Sequence, residues 1–92
     1  MRAGYHARTA RERAGISLRE MAARIGVSPG TLSRFERHDD DHLGEEKIVA
    51  LANALGLNPD ALLTSAGRIP SDVRRILVLD PDLWDFLRRA RS

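Results

Sequence analysis

Residues 28–37, SPGTLSRFER, put small polar side chains and two long cations on one side of a short helical segment. Ser28 is a good N-cap, and Pro29 suits the first helical position, where a missing amide hydrogen costs nothing. Leu32 and Phe35 share one face, which leaves Gly30, Thr31, Ser33, Arg34 and Arg37 on the other. The chemistry open to that outer face is hydrogen bonding to a grooved polyanion. An arginine fork takes guanine O6 and N7 or a phosphate, hydroxyls take either, and small residues let the helix come close.

A second helix must hold this one at an angle, and residues 17–26 supply it. Ser17 caps and Glu20, three residues on, is placed to reach back to the Ser17 amide in a capping box. Leu18, Met21, Ala22 and Ile25 recur on one face, with Arg19, Glu20 and Arg24 elsewhere around the circumference, and Gly26 is a natural stop. The Ala22–Ala23 pair is expected where packing is tight. A short glycine turn sets two such helices roughly perpendicular, so that the first crosses a nucleic-acid backbone while the second enters the major groove. Capped helices around a glycine turn occur in many small helical domains. The combination at one spacing, with a basic outer face, favours a DNA-binding helix-turn-helix.

Length and charge fit this reading. A chain of 92 residues is one domain with a modest core, cramped for a pocket-bearing enzyme. Cysteine is absent, so no disulfide framework, thiolate metal site or cysteine nucleophile is available. No apolar run approaches the roughly 20 residues that span a bilayer, and the first ten residues lack a signal-peptide core, so a soluble cytoplasmic protein is expected. The net charge of +2 hides an asymmetry: residues 1–37 carry eight Arg against Glu12, Glu20 and Glu36, residues 38–72 are acidic, and residues 73–92 are weakly basic. A positive region confined to the helix-turn-helix third is the footprint of a protein that displaces counterions from phosphates. Fourteen of the fifteen basic residues are Arg, as a GC-rich genome would produce, and no function is assigned to that bias.

The remaining elements follow from caps and periodicity. A first helix is expected over Tyr5 to Ala14, with Ala10 and Ala14 inward, Arg8, Arg11 and Arg13 available to partners, and Gly15 as its stop. The stretch His38 to His42 reads as a solvated acidic loop pointing away from DNA; a metal site would need better ligand spacing, and none is expected. A fourth helix is expected over Glu45 to Leu55, buried through Ile48, Leu51, Ala52 and Leu55, and stopped by Gly56. A fifth runs from Asn58 and Pro59 to Ser65 and carries Leu62 and Leu63. Beyond Gly67, Pro70, Ser71 and Asp72 open a helix through Leu79, and Pro81 opens another through Ala90.

In this arrangement the chain resembles the Xre family of bacterial and phage repressors, whose Cro/CI-like domain is a five-helix bundle. The resemblance covers residues 5–65 and rests on RERAGIS, REMAARIGVSPGTLSRFE and ALANALGLNPDALL. It implies an all-α fold: the five-helix DNA-binding bundle over 5–65, with two extra helices over 66–92. It implies that Arg11 and Glu36 form a structural ion pair; if buried, losing one partner would cost about 3–5 kcal/mol, against about 0–1 kcal/mol for a surface pair. It implies base readout by Pro29, Gly30, Thr31, Ser33 and Arg34. Many members carry glutamines where Pro29 and Gly30 stand, so readout shifts to Thr31, Ser33 and above all Arg34, which predicts a guanine in each half-site. Leu18 occupies the place of a frequent phosphate-binding glutamine, which leaves the amide end of that helix with Arg13, Arg19, Ser28, Arg37 and His38 to hold phosphates.

Val73, Ile76, Leu77, Leu83, Trp84, Phe86 and Leu87 give the added segment an apolar face that must be covered. It could fold back on the bundle, pair with a second copy, or cap another protein, as antitoxins of this family cap a toxin. Dimerisation is the preferred reading, because two copies would present recognition helices one DNA turn apart on a palindrome. The function expected is that of a sequence-specific repressor acting as a homodimer on double-stranded DNA, without cofactor. The alternative is an antitoxin-like interaction protein that autoregulates its operon. No catalytic constellation stands out, and His6, His38 and His42 read as surface residues.

Overall fold

The structure, a computed structural model, describes residues 3–38, 43–69 and 71–91, the side chains of His38, Pro81, Trp84 and Arg91 excepted. Among the described residues there are seven helices and no strand: α1 (Ala3–Arg13), α2 (Leu18–Ile25), α3 (Pro29–His38), α4 (Glu45–Leu55), α5 (Pro59–Ser65), α6 (Ser71–Leu79) and α7 (Pro81–Arg91).

Side chains fix the helix starts. Ser17 Oγ accepts the Glu20 N–H at 3.1 Å, Ser28 Oγ accepts the Thr31 N–H at 3.1 Å, and Asn58 Oδ1 accepts the Ala61 N–H at 3.1 Å. Only half of the expected capping box forms. The Glu20 carboxylate turns to Arg24 one helical turn on, at 2.6 Å, because a charged partner outcompetes the neutral Ser17 amide. Gly26 ends α2 at φ 76°, a conformation in which any side chain is strained, and its neighbour Val27 returns a hydrogen bond to the Ala22 carbonyl at 2.9 Å.

The core is assembled from all five bundle helices. Met21, Ala22 and Ile25 of α2 meet Leu32 and Phe35 of α3, Ile48, Leu51 and Ala52 of α4, and Leu62 and Leu63 of α5, with Leu43 closing the entry to α4. Of the alanine pair only Ala22 is buried; Ala23 is exposed, and Leu55 is half-buried at the edge of its stripe. The first helix differs more from expectation. It begins two residues earlier than Tyr5, and Ala3, Gly4, Ala7 and Arg11 face inward while Ala10 is half-buried and Ala14 exposed. The reason is Gly4. A Cβ there would overlap the Phe35 carbonyl oxygen and stand 2.8 Å from that of Glu36, so α1 lies with bare backbone against the end of α3, and this contact fixes its rotation.

Helices α6 and α7 pack on each other, and neither packs broadly on a bundle helix. The molecule is accordingly long, 45 × 23 × 21 Å, with a radius of gyration of 14.7 Å against about 12 Å for a compact domain of this length. Of the apolar residues in this hairpin Leu77 is buried at 3 % exposure, Leu83 is half-buried, and Val73, Ile76, Phe86 and Leu87 are exposed; Trp84 lies outside the described side chains. Val78 and Leu79, which the periodicity does not single out, are the most exposed large apolar residues described, at 71 % and 77 %.

Two glycine substitutions should therefore move stability in opposite directions. Gly4→Ala is expected to lower it by about 1–3 kcal/mol through overpacking. Gly30→Ala, on an open helical surface, should raise it by about 0.5–1 kcal/mol. Urea unfolding checks both, and an unchanged Gly4→Ala midpoint would contradict the close approach of α1 and α3.

Candidate nucleic-acid interface

Arg11 is buried, not available to partners as its place on the first helix suggests. Its Nε donates to Glu36 Oε2 at 2.8 Å and its NH2 to Glu36 Oε1 at 3.0 Å, a two-pronged pair at side-chain exposures of 10 % and 4 %. The remaining NH1 donates to the Ile16 carbonyl at 2.9 Å. The hydrogen bond to Glu36 raises the Arg11 pKa above its already high ordinary value, against the opposing effect of desolvation. One guanidinium thus joins α1, the turn before α2 and the last turns of α3, and remains charged at every accessible pH.

On the outer side of α3, Pro29, Gly30, Arg34 and Arg37 are exposed, while Thr31 and Ser33 are half-buried. Thr31 is less free than its place on the helix suggests, since its hydroxyl lies 2.9 Å from Ser28 Oγ, the atom that already caps its own amide. Ser28 is likewise engaged in holding the start of α3. The long side chains on this face are Arg34, near its middle, and Arg37, at its C-terminal end.

The arginines of residues 3–38 fall into two sets. Arg8 pairs with Glu12 at 3.4 Å and Arg24 with Glu20 at 2.6 Å, each across one turn of its own exposed helix, and Arg11 pairs with Glu36. Arg13, Arg19, Arg34 and Arg37 are exposed and form no ion pair among the described residues. Counterion release favours cations without a local acid, so the second set is the one suited to phosphates. The acidic loop after α3 and the His38 side chain lie outside the described residues.

Lys47 has a role that the sequence does not announce. Its Nζ stands 3.1 Å from where a Gly26 Cβ would be, which brings the ammonium to the negative end of the α2 dipole. Lys47 lies 21 residues after Gly26, so no local pattern links them. His6 is half-buried, lining a shallow, mostly apolar groove with Leu57, Asn58, Ala61, Leu62 and Ser65. Among the described residues no group of three or more His, Asp or Glu side chains could hold a metal ion, and no helix is long and apolar enough to cross a membrane.

Two capped helices joined by a glycine turn, the second bolted to a preceding helix and presenting exposed arginines, define a helix-turn-helix DNA-binding bundle. A family model described as helix-turn-helix matches residues 8–62, and the chain belongs to that family in its Xre/Cro-CI-like form. It is a DNA-binding transcription regulator. Comparison with curated proteins and with solved structures finds no match.

Glu36→Ala should leave Arg11 charged and stranded, lowering stability by about 3–5 kcal/mol. Glu20→Ala, which breaks an exposed pair, should cost no more than about 1 kcal/mol. Equal losses in chemical denaturation would contradict the structural role of the Arg11–Glu36 pair.

Proposed function

We propose that the protein is a sequence-specific transcriptional repressor that binds an inverted-repeat operator as a homodimer. The observation that carries the specific reading is the exposed Arg34 in the middle of α3, flanked by Gly30, Thr31 and Ser33 and in no ion pair among the described residues. In this account Arg34 is the principal base reader, forking to guanine O6 and N7, with Ser33 and Thr31 beside it and Pro29 and Gly30 admitting the helix to the groove. Arg13, Arg19 and Arg37 hold phosphates together with His38. Ser28 is a backbone neighbour of that contact, its hydroxyl being committed to the α3 cap.

The homodimer reading is supported by the apolar face of α6 and α7, where Val73, Ile76, Phe86 and Leu87 remain exposed on a hairpin that its own bundle does not cover. Residues 66–92 act as a dimerisation extension of the DNA-binding unit at 5–65. Two copies joined there present two recognition helices to one side of the duplex, at half-sites about 34–36 Å apart. Repression needs nothing beyond occupancy: a dimer seated on its operator excludes other proteins from that DNA, with no cofactor required. A foreign protein seated on the same apolar face would instead leave the free chain monomeric.

Base reading and phosphate holding are separable by mutation. Arg34→Ala should lower operator affinity and abolish discrimination at one base pair per half-site, worth about 1–3 kcal/mol there. Arg13→Ala should weaken all duplexes alike and reduce the salt dependence by about one charge. Competition titrations with an operator and its single-base variants check both. A uniform loss for Arg34→Ala would contradict its assignment as base reader.

A further inference from the structure

Neither helix of the α6–α7 hairpin packs broadly on the reading bundle, and among the described residues Glu45 joins the two parts by two hydrogen bonds. Glu45 Oε1 accepts the Ser71 N–H at 3.1 Å and Glu45 Oε2 accepts the Ser71 hydroxyl at 2.8 Å. We propose that Glu45 is a positioning residue that sets the permitted spacing between operator half-sites by clamping the hairpin to the bundle. The inference rests on the homodimer reading above.

Three observations carry it. First, the direction of the hairpin is not fixed by packing, because neither α6 nor α7 packs broadly on a bundle helix. Second, the clamp is anchored on the rigid side. Glu45 opens α4 two residues after the fully buried Leu43, and α4 is sunk into the core through Ile48, Leu51 and Ala52. Third, the carboxylate is placed where two helix N-termini meet. The α4 cap, Gly44, supplies no side-chain hydrogen bond, and Ser71 is the first residue of α6, so one negative charge serves both dipoles. Within the same part of the chain, Arg74 of α6 donates to the Ile69 carbonyl at 3.1 Å.

In a dimer joined through the hairpins, every ångström of swing at this clamp is carried to the recognition helices. Each base pair between half-sites adds about 3.4 Å to their separation and turns one against the other by about a tenth of a turn. A clamped hairpin therefore admits one spacing. A released hairpin still dimerises through its apolar face but lets the two bundles settle on longer or shorter operators. Glu45 contacts no base in this account; it selects operators through geometry alone.

The test uses full-length protein and a series of inverted-repeat duplexes whose central spacer varies by one and two base pairs around the preferred length. The wild type should prefer one spacer by roughly tenfold or more, the scale of one charge-assisted hydrogen bond. Glu45→Ala should reduce that preference to about threefold or less, and Ser71→Ala, which keeps the backbone N–H bond to Glu45 Oε1 and loses only the hydroxyl bond, should reduce it part of the way, while sedimentation still reports a dimer. Glu46→Ala removes an equivalent first-turn acid from α4 that makes no hydrogen bond or ion pair among the described residues, and should keep the wild-type preference. Ser71→Thr, which retains the hydroxyl, should keep it as well. A dimeric Glu45→Ala protein with unchanged spacer preference overturns this inference alone, and so does an equal loss in Glu46→Ala. A monomeric wild type overturns the homodimer reading and the inference with it.

Discussion

The arrangement of the described residues depends on the buried ion pair of Arg11 and Glu36. Arg11 and Glu36 are 25 residues apart, and burying either charge alone would be prohibitive. Together they meet in a two-pronged geometry, and the third donor of the guanidinium finds the Ile16 carbonyl, so that among the described residues no buried side-chain nitrogen or oxygen lacks a partner. The constraint is directional as well as stabilising. It fixes the last turns of α3 relative to α1 and to the turn that launches α2, and the absence of a side chain at Gly4 lets those backbones close on each other. With one face of α3 so held, its opposite face has a defined direction, which is what a reading helix needs.

Charge is distributed to match. Acids neutralise Arg8 and Arg24 locally and Arg11 internally, while Arg13, Arg19, Arg34 and Arg37 have no acidic partner among the described residues. The acidic balance of residues 38–72 follows the helix-turn-helix in the sequence, so the chain carries its positive and negative excess in successive segments. The hairpin at the other end shows the complementary property, an apolar surface without cover, and Glu45 joins the two parts.

Much of this was legible in the chain because it is local. Caps at Ser17, Ser28 and Asn58 and stops at Gly26 and Gly56 are read within four residues, and the spacing of Met21, Ile25, Leu32 and Phe35 predicts the inward faces. The family resemblance spans the region that the family model matches. What could not be read is set by distant backbone. The rotation of α1 follows from Gly4 against Phe35 and Glu36, so Ala14, inward by periodicity, lies in solvent. The partner choice of Glu20, the engagement of the Thr31 hydroxyl and the meetings of Lys47 with α2 and of Glu45 with Ser71 each depend on competition or on contacts that no sequence spacing encodes.

The most direct measurement of the central claim is selection of bound sequences from a random duplex library by the full-length protein at near-physiological salt. The account predicts a two-fold symmetric motif with a guanine in each half-site, the half-sites about one helical turn apart. Recovery of no motif, with binding that merely falls as salt rises, would contradict it, because phosphate attraction alone carries no sequence information.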